Sequence, residues 1–175
     1  MTVTAPAGAI SLAQNYLRVT LADSATFRTW VGATDRSGAL LHIHDDALPA
    51  PRRGEYTLTE LRSLRPYVLV STIGLTWTRD AVSDAFEFRG SGRLPVRFVQ
   101  DVDPAITLDE AEMSRTFQNT IGQIIDDIVA LAGQPGYLAI ERVTLDAGWS
   151  RSHKSEYRTE GDVQWWDATV EWGRD

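Results

Sequence analysis

The chain has 175 residues, 17 of them Lys or Arg against 24 Asp or Glu, for a formal net charge of -7. That length suffices to bury a core without staples, and 43% hydrophobic with 23% charged residues is the composition of a folded globular chain. The absence of cysteine excludes disulfide frameworks, thiolate metal sites and cysteine nucleophiles, and the acidic balance argues against wrapping nucleic acid over a broad basic surface.

The segment Met1 to Gly8 has neither a basic start nor a long apolar stretch, and no uncharged apolar run approaches the ~18 residues that span a bilayer. Neither export through a signal peptide nor membrane insertion is expected. Ser11 and Gln14 have capping-box spacing, and Leu12, Tyr16, Leu17 and Leu21 recur near helical spacing. This predicts a helix over 12–31, broken near 23, where Asp23 or Ser24 caps a piece carrying Phe27, Trp30 and Val31 that Gly32 stops. Periodicity then fades, and Gly38, Pro49, Pro51 and Gly54 mark a long loop insertion over about 32–66. Within it Thr57 and Glu60 predict a short helix over 57–64.

Tyr67 to Ile73 is rich in β-branched residues and predicts a strand, with Leu75 to Thr78 continuing it or starting another. A hairpin is expected next. Phe86 and Phe88 alternate on one arm, Val96 and Phe98 on the other, with Gly90-Ser91-Gly92 as the turn and Pro95 marking an edge or a bulge. The strongest helix signal covers 108–132: Thr107 and Glu110 form a capping box, Phe117, Ile121, Ile124, Ile125, Ile128 and Leu131 make one apolar face, and Gly133 and Pro135 end it. Two long strands, Tyr137 to Ala147 and Asp162 to Trp172, close the chain as an antiparallel pair. The implied fold class is α+β: an antiparallel β-sheet packed by a long amphipathic helix and an N-terminal helix, in a single domain over 1–175.

Few residues form a chemical constellation. His42, His44, Asp45 and Asp46 have the donor types of a zinc or iron site, but they lie in the loop and the third histidine, His153, is remote in sequence, so a surface loop is the simpler reading. No G-x-S-x-G elbow marks a serine nucleophile, no phosphate-cradling glycine motif is present, and no pair of carboxylates stands out for glycosidase chemistry. The acids from Asp101 to Glu112 lack the spacing of a calcium loop, and Asp126-Asp127 reads as a solvated helix edge. No enzyme activity, cofactor or metal is expected.

Aromatic residues are more informative. In the last strand Trp166, Ala168, Val170 and Trp172 share one face, while Trp165 sits on the polar face with Asp167, Thr169 and Glu171. An exposed Trp suits a protein interface or, alternatively, a sugar-stacking platform in a monomeric ligand-binding module. The polar connection carrying Arg151, His153, Lys154 and Arg158, with Arg52 and Arg53 in the long loop, supplies further interface candidates.

The order of elements, carried by the N-terminal helix around Leu17 to Trp30, Phe86-Glu87-Phe88-Arg89-Gly90 with Leu94-Pro95-Val96-Arg97-Phe98, the helix Phe117 to Leu131 and the ending Asp167 to Gly173, resembles that of the tail terminator and tail-completion proteins of long-tailed bacteriophages. The resemblance implies a structural virion protein without catalytic residues. It implies a homo-oligomeric, six-membered ring that ends the tail tube, meets the head connector or stopper proteins, and passes DNA through an acidic lumen without specific binding. Another neck protein, a connector or stopper, would share these traits.

Overall fold

A computed structural model describes residues 9–45, 48, 56–71, 76–79, 90–101, 110–151 and 163–173. The chain begins with α1 (Ala9–Asp23) and α2 (Ala25–Val31). They are separated at Ser24, whose extended backbone breaks the helix while its Oγ accepts from Phe27 N at 2.9 Å, so one residue ends α1 and caps α2. Gly32, at φ 72°, ends α2 in the left-handed conformation that a Cβ would disfavour. Ser11 lies inside α1 rather than at its cap, and Gln14 reaches across to donate to Val70 O at 3.4 Å.

The region expected as a loop holds three elements among its described residues: α3 (Arg36–Leu40), β1 (Ile43–Asp45) and α4 (Leu58–Leu64). Asp35 caps α3 by accepting from Gly38 N at 2.8 Å. The Thr57–Glu60 capping box starts α4 as the spacing predicts. The rest of the sheet is β2 (Tyr67–Val70), β3 (Thr76–Arg79), β4 (Gly90–Asp101), β5 (Ile140–Arg151) and β6 (Val163–Trp172), with α5 (Glu110–Leu131) between β4 and β5.

Six strands form one sheet in the order β1-β2-β4-β6-β5, and β3 pairs with β4 off this path. The α+β class holds, and β5 and β6 pair antiparallel as expected. The sheet is mixed, however, because β1 adds parallel to β2. Two local expectations fail for one reason, the central position of β4. Gly90, Ser91 and Gly92 form no turn; they lie in the ladder opposite Arg79, Thr78 and Trp77 of β3. The expected partner arm around 86–88 lies outside the described residues. Nor is Pro95 on an edge, since β6 flanks β4 on one side and β2 and β3 share the other. Pro95 O accepts from Ser71 N at 2.9 Å, and Pro95 falls between the Val70–Val96 and Thr76–Arg93 pairs, so among the described residues no ladder pair of β2 or β3 calls on its missing N–H.

Helices α1, α2 and α5 cover one face. Leu17, Leu21 and Phe27 join Phe117, Ile121, Ile124 and Ile128 over Val68, Val70, Leu94, Val96, Phe98, Ala168 and Val170, all buried. The Trp30 ring sits 5.9 to 6.1 Å from Phe27, Phe98 and Phe117, and its Nε1 donates to Gln100 Oε1 at 2.9 Å. Gln100 passes the chain on to buried Gln164 at 2.8 Å, which satisfies two amides that would otherwise be costly under the helix layer. A smaller cluster of Tyr67, Val99 and Val163, with Leu48, Leu64, Leu69 and Trp165 against it, lies on the other face. Beside it Arg65, its side chain only 4% exposed, ties the end of α4 to Asp101 at 2.6 Å.

Asp127 corrects the expectation of a solvated acidic edge. It accepts from Ser24 Oγ at 2.7 Å and Thr26 N at 3.0 Å, bracing the start of α2 from α5. The Thr26 backbone N–H is the main cause that holds its carboxyl below the ordinary carboxylate range, against burial. Burial pushes Asp23 up, but hydrogen bonds from Arg36 and Tyr137 outweigh it and hold this carboxyl low as well. Both groups are lower in the folded chain than in the unfolded one. Their stabilisation is therefore complete above about pH 5, roughly a unit over the unfolded carboxyl's value, and is lost as the pH falls through the folded values. Denaturant titrations should show the stability gap between wild type and Asp127→Asn narrowing from about pH 5 to about pH 3; a gap independent of pH would mean that the carboxylate charge braces nothing.

Candidate functional site

Among the described residues no group of three or more His, Asp or Glu stands together to hold a metal, and no helix is long and apolar enough to cross a membrane. His42 and His44 do not converge on one point: His42 Nδ1 donates to Pro66 O at 2.8 Å, and the His44 ring packs edge-on against Tyr67 with centroids 5.8 Å apart. The surfaces that remain are the open face of the sheet and its two edges.

Strand alternation places Arg93, Arg97, Trp165, Asp167, Thr169 and Glu171 on the face opposite the helices. Arg97 grips Asp167 with two hydrogen bonds, of 2.6 and 2.8 Å, and its guanidinium carbon lies 4.5 Å from the centroid of the Trp165 ring. Glu171 is held from both sides, by Arg93 at 3.0 Å and by Arg142 at 2.6 Å, and Thr169 donates to Asp146 at 2.5 Å. The two arginine-paired carboxylates lie beneath their arginines, while Asp146 is exposed: the Glu171 side chain is 16% exposed, those of Arg93 and Arg142 58% and 65%. Charge on this face is nearly balanced, and its ion pairs are open to water, where each contributes little to stability.

Trp165 is on the expected face but is half-buried, packed against the Tyr67 cluster under Arg97. Arg151 is the last residue of β5, in register with Val163. His153, Lys154, Arg158, Arg52 and Arg53 lie outside the described residues. Sequence reasoning missed Arg93, Arg97 and Arg142 as a set. The signal was the matching four-residue spacing of Arg93 with Arg97 and of Asp167 with Glu171, which becomes a ladder of pairs only once the β4–β6 register is known.

The two ends of the sheet differ in relief. At the β1 end Leu41, two residues before the strand, is 76% exposed. At the β5 end Val129, Ala132, Gly133, Ala139, Ile140, Glu141 and Gly173 line an open groove of about 350 Å³ between the end of α5 and the start of β5. One end thus carries an apolar projection and the other a recess of mixed polar and apolar lining.

No family model and no curated protein matches the chain. Among solved structures, the chain is similar to one in the "Virion of native gene transfer agent (GTA) particle", at 13% identity and a TM-score of 0.44, covering 91% of this chain and 92% of that one.

Proposed function

We propose that the protein is a structural subunit of a phage-like virion that assembles head to tail with copies of itself into a closed ring at the tail neck. The observation that supports this best is the unlike pair of sheet ends: a projecting Leu41 beside β1 and a recess behind Ile140 of β5. Two different surfaces on opposite edges favour heterologous association, which closes into a ring when the rotation between copies permits and otherwise grows into a filament. The resemblance in element order supplies the rest: a six-membered ring that ends the tail tube, contacts the tube protein on one side and the head connector or stopper on the other, and passes DNA without specific contacts.

The open sheet face bears on how such a ring would be built. Three arginines stand outermost over their carboxylates there, so a DNA-passing lumen would have to be lined by other surfaces of this acidic chain. The reading is overturned if an assembled ring turns Arg93, Arg97 and Arg142 to its lumen. A sugar-stacking module finds less support, because Arg97 occupies one face of the Trp165 ring that would have to receive the sugar.

Light scattering across a concentration series, with negative-stain images of the same sample, tests the proposal. Wild type should reach several times its 19.4 kDa mass and form rings. Leu41→Asp should shift the population to monomer while leaving the circular dichroism spectrum unchanged, since Leu41 contributes little to the core. Monomers at every concentration, in wild type and variant alike, would sink self-assembly through these edges.

A further inference from the structure

The β1 end of the sheet carries a second feature besides the exposed Leu41. β1 is three residues long and, among the described residues, lies at the boundary of the sheet and pairs with β2 alone. A strand so short has little ladder energy of its own and depends on side chains to stay in place. Arg18 of α1 reaches over the edge to Asp45 at 3.0 Å and to Ile43 O at 3.4 Å, and Val68 N donates to His42 O at 2.8 Å. On the opposite side of the strand His44 lies half-buried against Tyr67 of β2, and its Nε2 is sealed from water without a hydrogen-bond partner.

We propose that His44 is a proton-operated latch: its neutral ring holds β1 on the sheet, and protonation at mildly acidic pH releases the strand. A neutral Nε2 without a partner costs one unmade hydrogen bond, whereas an imidazolium N–H in that place would be a buried charge with no acceptor. The charged or titratable groups that bear on it are Arg18 from α1, His42 just before the strand and Asp45 at its end, while β2 presents the Tyr67 ring. Arg18 and His42 oppose a second positive charge; Asp45 favours it but is already paired with Arg18. Burial is the largest influence and, together with Arg18 and His42, pushes the His44 pKa below its usual value. The released strand, by contrast, would titrate as an ordinary histidine near 6.5. A group whose pKa is lower when latched holds the strand fully above that value and progressively less as the pH falls below it. Release would uncover the outer edge of β2, whose N–H and C=O groups could then pair with another strand.

Amide hydrogen exchange on the full chain, corrected for the intrinsic pH dependence, tests the latch. Protection of the Val68 amide and its β1–β2 neighbours should fall by about tenfold for each pKa unit that separates latched from released His44, over about pH 7.5 to 5, while β4–β6 amides stay protected. His44→Phe and His44→Gln, which cannot take up a proton, should abolish that pH dependence, whereas His42→Gln should retain it. The histidine ring resonances of wild type give a reading that needs no variant, with the His44 midpoint expected below 6.5. The latch is excluded by a midpoint at or above that value, by the same fall in His44→Phe or His44→Gln, or by an equal loss across the whole sheet. Ring assembly can fail with the latch intact, and the latch can fail in a chain that forms rings.

Discussion

Ile124→Ala should destabilise the protein by about 2–5 kcal/mol, read as a lower denaturation midpoint with an unchanged denaturant slope. Ile124 is fully buried on the face of α5 that lies over the sheet, among Phe117, Ile121 and Ile128. Truncation would remove three carbons from the middle of the helix–sheet contact, where helix and strands are both pinned by their own hydrogen bonds and collapse into the void poorly. Trp165→Ala is the informative control. Its ring is half-buried at the border of the smaller cluster, under an arginine open to water, so its loss should cost less despite the larger volume removed. Equal destabilisation by the two substitutions would mean that the outer cluster is as much a part of the core as the helix layer.

A methyl group at Gly92 is expected to cost about 1–3 kcal/mol, with the damage concentrated in β3. A Cβ at this position would stand 2.5 Å from Thr76 O and 3.1 Å from the Trp172 ring. The oxygen belongs to the backbone of the paired strand, so no rotamer change relieves the contact and β3 must move away from β4. Hydrogen exchange in Gly92→Ala should therefore show the β3–β4 ladder opening first, with the β4–β6 ladder protected. Unchanged protection of β3 would show that the two strands do not approach so closely in solution. The requirement for glycine here is one of space, whereas a turn would have required it for positive φ.

That distinction bears on what could be read from the chain alone. Most local signals agree with the structure: Ser24 and Gly32 bound α2, Thr57 and Glu60 open α4, and the three- and four-residue spacing from Phe117 to Ile128 names the buried face of α5, whereas the Ser11–Gln14 spacing falls inside α1 rather than at its cap. The alternation Trp166, Ala168, Val170, Trp172 likewise marks the side of β6 turned to the helices. Each of these depends on groups within one or two turns, or within one strand, whose geometry is set by the backbone period.

The other failures depended on partners far away in the chain. Glycines that look like a turn pair with β3 in a central strand, where Thr76 and Trp172 crowd Gly92; a proline that looks like an edge lies inside the sheet; and an aspartate that looks solvated braces a helix 101 residues earlier. The open-face pairs of Arg97 with Asp167 and of Arg93 and Arg142 with Glu171 also needed the strand register. Capping residues and apolar periods alone determined the main helices, the long final strands and the α+β class. Tertiary structure decided the strand order, the parallel addition of β1, the setting of His44, and the placement of Leu41 and the groove at opposite ends of the sheet. The physical reason is that capping and periodicity are properties of neighbouring residues, whereas register, close approach and the burial of one side chain by another exist only after the chain has brought distant segments together.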